Sequence, residues 1–153
     1  MTLILSSSAF SHGEEIPGVY SCEGMDVSPP LEWSGAPDET KSLALFCNDP
    51  DAPGGTWHHW ALFDVPAGLD HLEPGLATTA AVGRMRQGLN DFKCHGYGGP
   101  CPPPGHGVHH YHFVLLALEV EKLQVAGDTC PEIESAARQY ALAEAELVGT
   151  YER

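Results

Sequence analysis

Basic residues are scarce in this sequence. Seven lysines and arginines stand against 21 aspartates and glutamates, a formal net charge of -14. A field of that sign repels a phosphate backbone and an anionic bilayer, which argues against nucleic acid and membrane surfaces as partners. Long apolar runs are also missing, because no stretch nears the roughly 18 to 20 residues of a membrane helix. The opening MTLILSSSAF offers only Leu3, Ile4 and Leu5 as an apolar block, with no basic residue before it. That is too short for a signal-peptide core, so a soluble cytoplasmic protein is expected. Cysteine is limited to five residues, an odd number, and no CxxC pair occurs. A disulfide framework and a structural zinc site are therefore poorly supported, and reduced thiols are expected. A bridge from Cys94 to Cys101 across a Gly-rich loop stays open as the alternative. Neither G-x-S-x-G nor the phosphate-loop pattern is found, so a serine nucleophile elbow and a phosphate-binding loop of that type are not indicated.

What remains is rich in turn formers. Thirteen prolines and seventeen glycines punctuate the 153 residues, a length that suits one domain with a real core. Short apolar runs between turn signals predict a mainly β fold. SLALFCND (42–49), HHWALFDVP (58–66) and VHHYHFVLLALEV (108–120) read as strands. The last is apolar on both parities from Phe113 onward, the mark of a central strand buried on both faces. Its polar start points to a site at that end of the sheet. Residues 66–107 show little periodicity, and long loops of that kind are often functional. The tail DTCPEIESAARQYALAEAELVG reads as one helix over about 131–147. Thr129 and Glu132 fit a capping box, Pro131 the first turn, and Gly149 the stop.

The chemistry concentrates in DPDAPGGTWHHW (49–60) and HHYH (109–112). Side chains alternate between the faces of a strand. Trp57 and His59 then share one face, as do His109 and Tyr111, and Asp49 and Asp51 match in parity. Such a set suits a small anion: imidazole N–H groups and the Tyr111 hydroxyl donate, and a carboxylate beside an imidazole sustains its charge. Trp57 offers a flat wall. Three other readings stay open. His110 and His112 form HxH on the opposite face, a spacing that can present two ligands to zinc. Cys101 lies near several histidines and could imitate a Cys/His dyad. A hydrolase with His59 or His109 as general base would need that base within reach of a water.

DPDAP, WHHW and GPCPPPGHGVHHYHF, with IPGVYSCEGMDVSPPLEW (16–33) before them, resemble the signature segments of the phosphatidylethanolamine-binding protein (PEBP) family. The similarity is to its short prokaryotic, Raf-kinase-inhibitor-like branch, and it extends along nearly the whole chain, ending at AEAELVGTYER. The resemblance implies a single PEBP-like domain over 1–153, a two-sheet antiparallel β sandwich with Greek-key connections plus a C-terminal helix. It implies an anion pocket for phosphate, acetate or a phosphoethanolamine-like head group, with no cofactor and no bound metal. Its lining would correspond to Asp49, Ala52, Pro53, Trp57, His59, Cys101, His109 and Tyr111. It further implies modulation of a partner kinase or protease, a homodimer, and no stable membrane insertion. Ala52–Pro53 is a candidate cis bond. One departure stands out: His110 replaces an arginine usual in the family, so an ion pair with an aspartate such as Asp51 is expected to be lost.

Overall fold

The computed structural model describes residues 2–153. Nine strands and one α-helix follow in chain order: β1 (Ile4–Ser6), β2 (Leu31–Ser34), β3 (Ser42–Asp49), β4 (Trp57–Pro66), β5 (His71–Leu72), β6 (Ala81–Val82), β7 (Met85–Gln87), β8 (His109–Leu118), α1 (Cys130–Arg138) and β9 (Ala141–Tyr151). They form two antiparallel sheets, one of order β1-β2-β5 and one of order β6-β7-β4-β3-β8-β9. The chain is mainly β, as the punctuated sequence predicts. The three long apolar runs are β3, β4 and β8, side by side at the centre of the larger sheet.

Both faces of that centre are buried. Leu43, Leu45, Trp60, Leu62, Tyr111, Phe113 and Leu115 pack inward against Leu5, Leu31, Trp33 and Leu72 of the smaller sheet. Ala44, Phe46, Ala61, Phe63, Leu116 and Leu118 pack outward against Cys130, Ile133 and Ala137 of α1. This two-sided burial is why the runs lack an apolar/polar alternation. Beyond the last residue of β4, Pro66, the stretch 66–107 supplies only the short strands β5, β6 and β7.

The expected helix over 131–147 is corrected. The helix stops at Arg138, and Ala141–Tyr151 is a strand paired with β8 along its whole length. Alanine, glutamate and leucine favour helix, but pairing with a buried central strand overrides that preference. The period-2 signal is present: Ala145, Leu147, Gly149 and Tyr151 are buried, while Glu144 and Glu146 are exposed. Gly149 is not a helix stop. A Cβ there would sit 2.4 Å from Ile16 Cγ1, so β9 needs glycine to lie against the N-terminal segment. The capping box is also altered: Thr129 Oγ1 donates to Glu132 Oε1 at 2.6 Å, and no side chain caps the backbone. Ala52–Pro53 is trans, since no cis peptide bond occurs among the described residues. The turn closes instead through Gly55 N donating to Ala52 O at 3.1 Å, with Gly55 at φ 109°.

The expectation of reduced thiols fails at two positions, and the Cys94–Cys101 alternative fails with it. Cys22 and Cys101 form a disulfide across 79 residues, with Cα atoms 5.4 Å apart. Cys47, Cys94 and Cys130 remain free. Spacing in sequence cannot reveal a pairing that the fold makes by folding the N-terminal loop over residues 97–101. Converting Cys22 and Cys101 together to serine should cost about 2–4 kcal/mol of stability, measured by urea unfolding under oxidising conditions. A loss below about 1 kcal/mol would show that the loop is held without the bridge.

Candidate functional site

The ends of β3, β4 and β8 meet where Asp49, Trp57 and His109 begin or close their strands. A cavity of about 180 Å³ lies there. Asp49, Ala52, Pro53, Trp57, His59, Cys101, His109 and Tyr111 all line it, together with Phe92, Pro102 and Pro103. The fold thus brings together all eight residues singled out in the sequence. Asp51 does not join them.

Alternation alone does not explain the lining. Cys47 pairs with Trp60 and Asn48 with His58, so β4 carries one extra residue at His59. The bulge turns the strand, and His59 and Trp60 both face the sandwich interior. Trp60 is fully buried there and donates from Nε1 to Gln87 Oε1 at 2.7 Å. His59 reaches the cavity, with its ring 5.2 Å from that of Tyr111 and 5.4 Å from that of Phe92.

Asp49 is buried and doubly engaged. Its Oδ1 accepts from the Asp51 amide at 2.8 Å, and its Oδ2 accepts from His109 Nδ1 at 2.7 Å. The carboxylate therefore orients and supports His109 rather than facing the cavity as a free charge. On the other side of that ring, His109 Nε2 lies 2.6 Å from His106 Nδ1 and shares one proton with it. His59 is oriented differently. Its Nδ1–H donates to Gly98 O at 2.6 Å, which leaves Nε2 as the unprotonated nitrogen of the neutral ring. Burial lowers the His59 pKa, against smaller opposing effects of the Gly98 carbonyl and Asp49.

Tyr111 is the outlier. Its side chain is fully buried, and its hydroxyl has no hydrogen-bond partner among the described residues, Asp49 included. Burial, reinforced by the Asp49 carboxylate, pushes the phenol far above its ordinary pKa, so it stays a protonated donor.

Two loops build the remaining walls. Residues 97–101 are clamped by the N-terminal loop: Tyr97 OH donates to Tyr20 O at 2.8 Å, Gly99 N to Asp26 Oδ1 at 2.7 Å, and Cys22 N to Pro100 O at 3.0 Å. Gly99 is required because a Cβ would sit 2.2 Å from Tyr20 O. The bridge to Cys22 anchors Cys101 in the wall, which removes it as a thiol nucleophile. The second loop is shaped by Asn90, whose Oδ1 accepts from the amides of Phe92 and Cys94 and whose Nδ2 donates to Gly96 O. Asp91 exchanges two hydrogen bonds with the His58 backbone. Phe92 is thereby set edge-on to Trp57 at 5.4 Å. Both rings are partly exposed, 38% for Trp57 and 40% for Phe92, and mark the mouth.

Phe92 and His106 escaped the sequence reading. The available signals were an aromatic residue alone in a polar loop and a histidine between two glycines. The expected loss of an ion pair at position 110 is corrected. His110 Nδ1 and its amide both donate to Asp51 Oδ2 at 2.8 Å, and these bonds hold the Asp51 carboxyl below its ordinary range. A histidine therefore keeps the contact with Asp51. The HxH pair separates in function: His110 meets Asp51, whereas His112 Nδ1 lies 3.2 Å from Glu146 Oε2. Among the described residues no group of three His, Cys, Asp or Glu side chains is placed to hold a metal ion, and no helix is long and apolar enough to cross a membrane.

Comparison with known proteins agrees with this architecture. A UPF0098 protein of Aquifex aeolicus is 44% identical over 148 residues, covering 96% of this chain and 86% of its own. A UPF0098 protein of Methanothermobacter thermautotrophicus is 42% identical, covering 97% and 98%. The crystal structure of Escherichia coli YbcL, described as a new member of the mammalian PEBP family, superposes with a TM-score of 0.92 at 34% identity, over 100% of this chain and 99% of its own. A PEBP homolog of Chlamydia trachomatis gives a TM-score of 0.86 at 40% identity, over 99% and 98%. The model of the phosphatidylethanolamine-binding protein family matches residues 6–152, and with these relatives it shows that the chain belongs to that family.

Proposed function

We propose that this protein binds a small phosphate-type anion, or a head group carrying one, in the His59–His109–Tyr111 cavity. Tyr111 carries the reading. Its buried hydroxyl finds no acceptor among the described residues and lines the cavity, so it is free to donate to an entering anion oxygen. The volume of about 180 Å³ suits a phosphate with a short substituent and leaves no room for acyl chains. Trp57 and Phe92 give the substituent an apolar, quadrupolar wall that suits an ammonium group. The family's name describes such a head group.

His59 makes binding proton-linked. Its neutral Nε2 accepts, so donation to an anion requires a second proton on the ring. Above the lowered pKa of the free protein, binding takes up one proton and affinity falls as pH rises. The occupied mouth, rimmed by Trp57 and Phe92, would present a different surface to a partner kinase or protease than the free mouth does. One observation favours a hydrolase as second reading: a neutral His59, held by a carbonyl, is poised as a base. Asp49, however, supports His109 and not His59.

Calorimetric titration with O-phosphoethanolamine should show affinity falling about tenfold from pH 6 to pH 7.5, and His59→Gln should flatten that dependence. Equal affinity at both pH values in the wild type would refute the proton linkage. Tyr111→Phe should weaken phosphate binding about five- to tenfold, through loss of one donor to the anion. Unchanged affinity in that variant would overturn the assignment of the donor. The free protein should also lose stability as pH falls. His59 is neutral in the fold and protonates more readily when unfolded, so its contribution is complete above about pH 6.5 and declines from there to its folded-state pKa. Thermal melts of wild type and His59→Gln between pH 7.5 and 5 would show the difference. Turnover of a phosphoester panel, absent in His59→Gln, would replace the binding reading with the hydrolase.

A further inference from the structure

We propose a second anion site, for a di- or triphosphate group, in a basic cleft at the opposite end of the central strands. Four of the seven basic residues, Lys41, Arg84, Arg86 and Lys122, line one cleft of about 720 Å³. They come from separate parts of the chain: just before β3, the turn between β6 and β7, β7 itself, and the segment after β8. Lys41 precedes the first residue of β3, and Asp49 is its last. At about 3.3 Å per residue the cleft lies roughly 25 Å from the His59 cavity.

The cleft is built around a buried hub. Leu43 pairs with Val65 but Leu45 with Leu62, so β4 carries a second bulge between these pairs. Within it Asp64 takes φ 58°, a conformation uncommon outside glycine and frequent at functional sites. Its Oδ1 accepts from Leu123 N at 2.8 Å and its Oδ2 from Arg86 Nε at 2.7 Å. Arg86 Nη2 donates to Leu123 O at 2.6 Å, and its guanidinium lies 4.5 Å over the Phe63 ring. Three walls of the cleft, β4, β7 and the segment after β8, are thereby locked together.

Charge is unbalanced there. Asp64 and Glu121 are the two carboxylates in the lining. Both Asp64 oxygens are occupied, and Glu121 meets Arg84 at 3.2 Å in an exposed pair that contributes little. Lys41 and Lys122 make no ion pair among the described residues. A protein of net charge -14 therefore gathers four cations against two carboxylates at one place. Cations drawn from four separate segments around a cleft of this size suit linked phosphates better than a single one, and guanidinium with ammonium groups is the pairing that recognises them. A long nucleic acid would extend onto the surrounding acidic surface and be repelled. The ligand is therefore a short polyphosphate chain, either bare or carried by a nucleoside.

The test is calorimetric titration of the intact protein with inorganic tripolyphosphate and, separately, with ADP, at about 50 mM salt to limit screening. Binding should weaken at least about tenfold in a Lys41→Gln/Lys122→Gln variant whose thermal unfolding is unchanged, and persist in His59→Gln. Tighter binding of ADP would identify a nucleotide, and binding of tripolyphosphate alone would identify a bare chain. No binding of either probe would overturn the proposal. So would binding that survives the lysine changes or disappears in His59→Gln, since it would then belong elsewhere or to the first cavity.

Discussion

Three strands buried on both faces leave only their ends free to carry polar chemistry. β3, β4 and β8 are covered by the smaller sheet on one side and by α1 on the other. A charged side chain at mid-strand would be desolvated without a partner, at a cost of several kcal/mol. At the ends, loops can bring partners and water is near. The histidines and Asp49 collect at one end, and Asp64 with the cationic cleft at the other. Each end is also where β4 takes up an extra residue. The bulges are how a strand with a uniform apolar interior turns a functional side chain out of register with its neighbours.

Burying charge at the His59 end is made tolerable by pairing. Asp49 would oppose an anion if it were free, but its oxygens are committed to His109 and the Asp51 amide. His109 Nε2 in turn meets His106 Nδ1, so the buried carboxylate is linked through two imidazoles toward the surface. Tyr111 and His59 complete the set with groups whose ionisation is shifted toward the neutral form by burial. The walls of the cavity are themselves fixed from outside, by the loop around Cys22 and Asp26 and by the turn at Asn90.

Much of this was legible in the residues. β3 is found at 42–49 as read, and the apolar stretches at 58 and 108 fall in β4 and β8, because a doubly buried strand has a composition no loop imitates. Eight of the eleven residues that line the first cavity could be named because strand alternation and the family resemblance agree on most of them. What escaped detection depends on contacts distant in sequence. ALAEAELVGTY has the composition of a helix, and only its partner β8 makes it a strand. The bulge at His59 is invisible without the facing strand. Cys22 and Cys101 are joined by loop packing, at a sequence separation of 79. Phe92 and His106 sit in segments without periodicity, where local pattern carries no information about which way a side chain points.

The N-terminal segment has a consequence for assembly. β9 lies at the rim of the larger sheet, where its outward backbone groups could template a further strand. Gly13 N donates to Val148 O, Ile16 N to Thr150 O, and Thr150 N to Glu14 O, while His12 Nδ1 accepts from Val148 N. Residues 12–16 thus occupy the rim beside Val148 and Thr150, and Glu144 and Glu146 place charge along the remainder. Edge-to-edge growth into longer sheets is blocked from that side. At this rim, a second copy of the protein could pack only through side chains, because the backbone of β9 is already engaged at Val148 and Thr150.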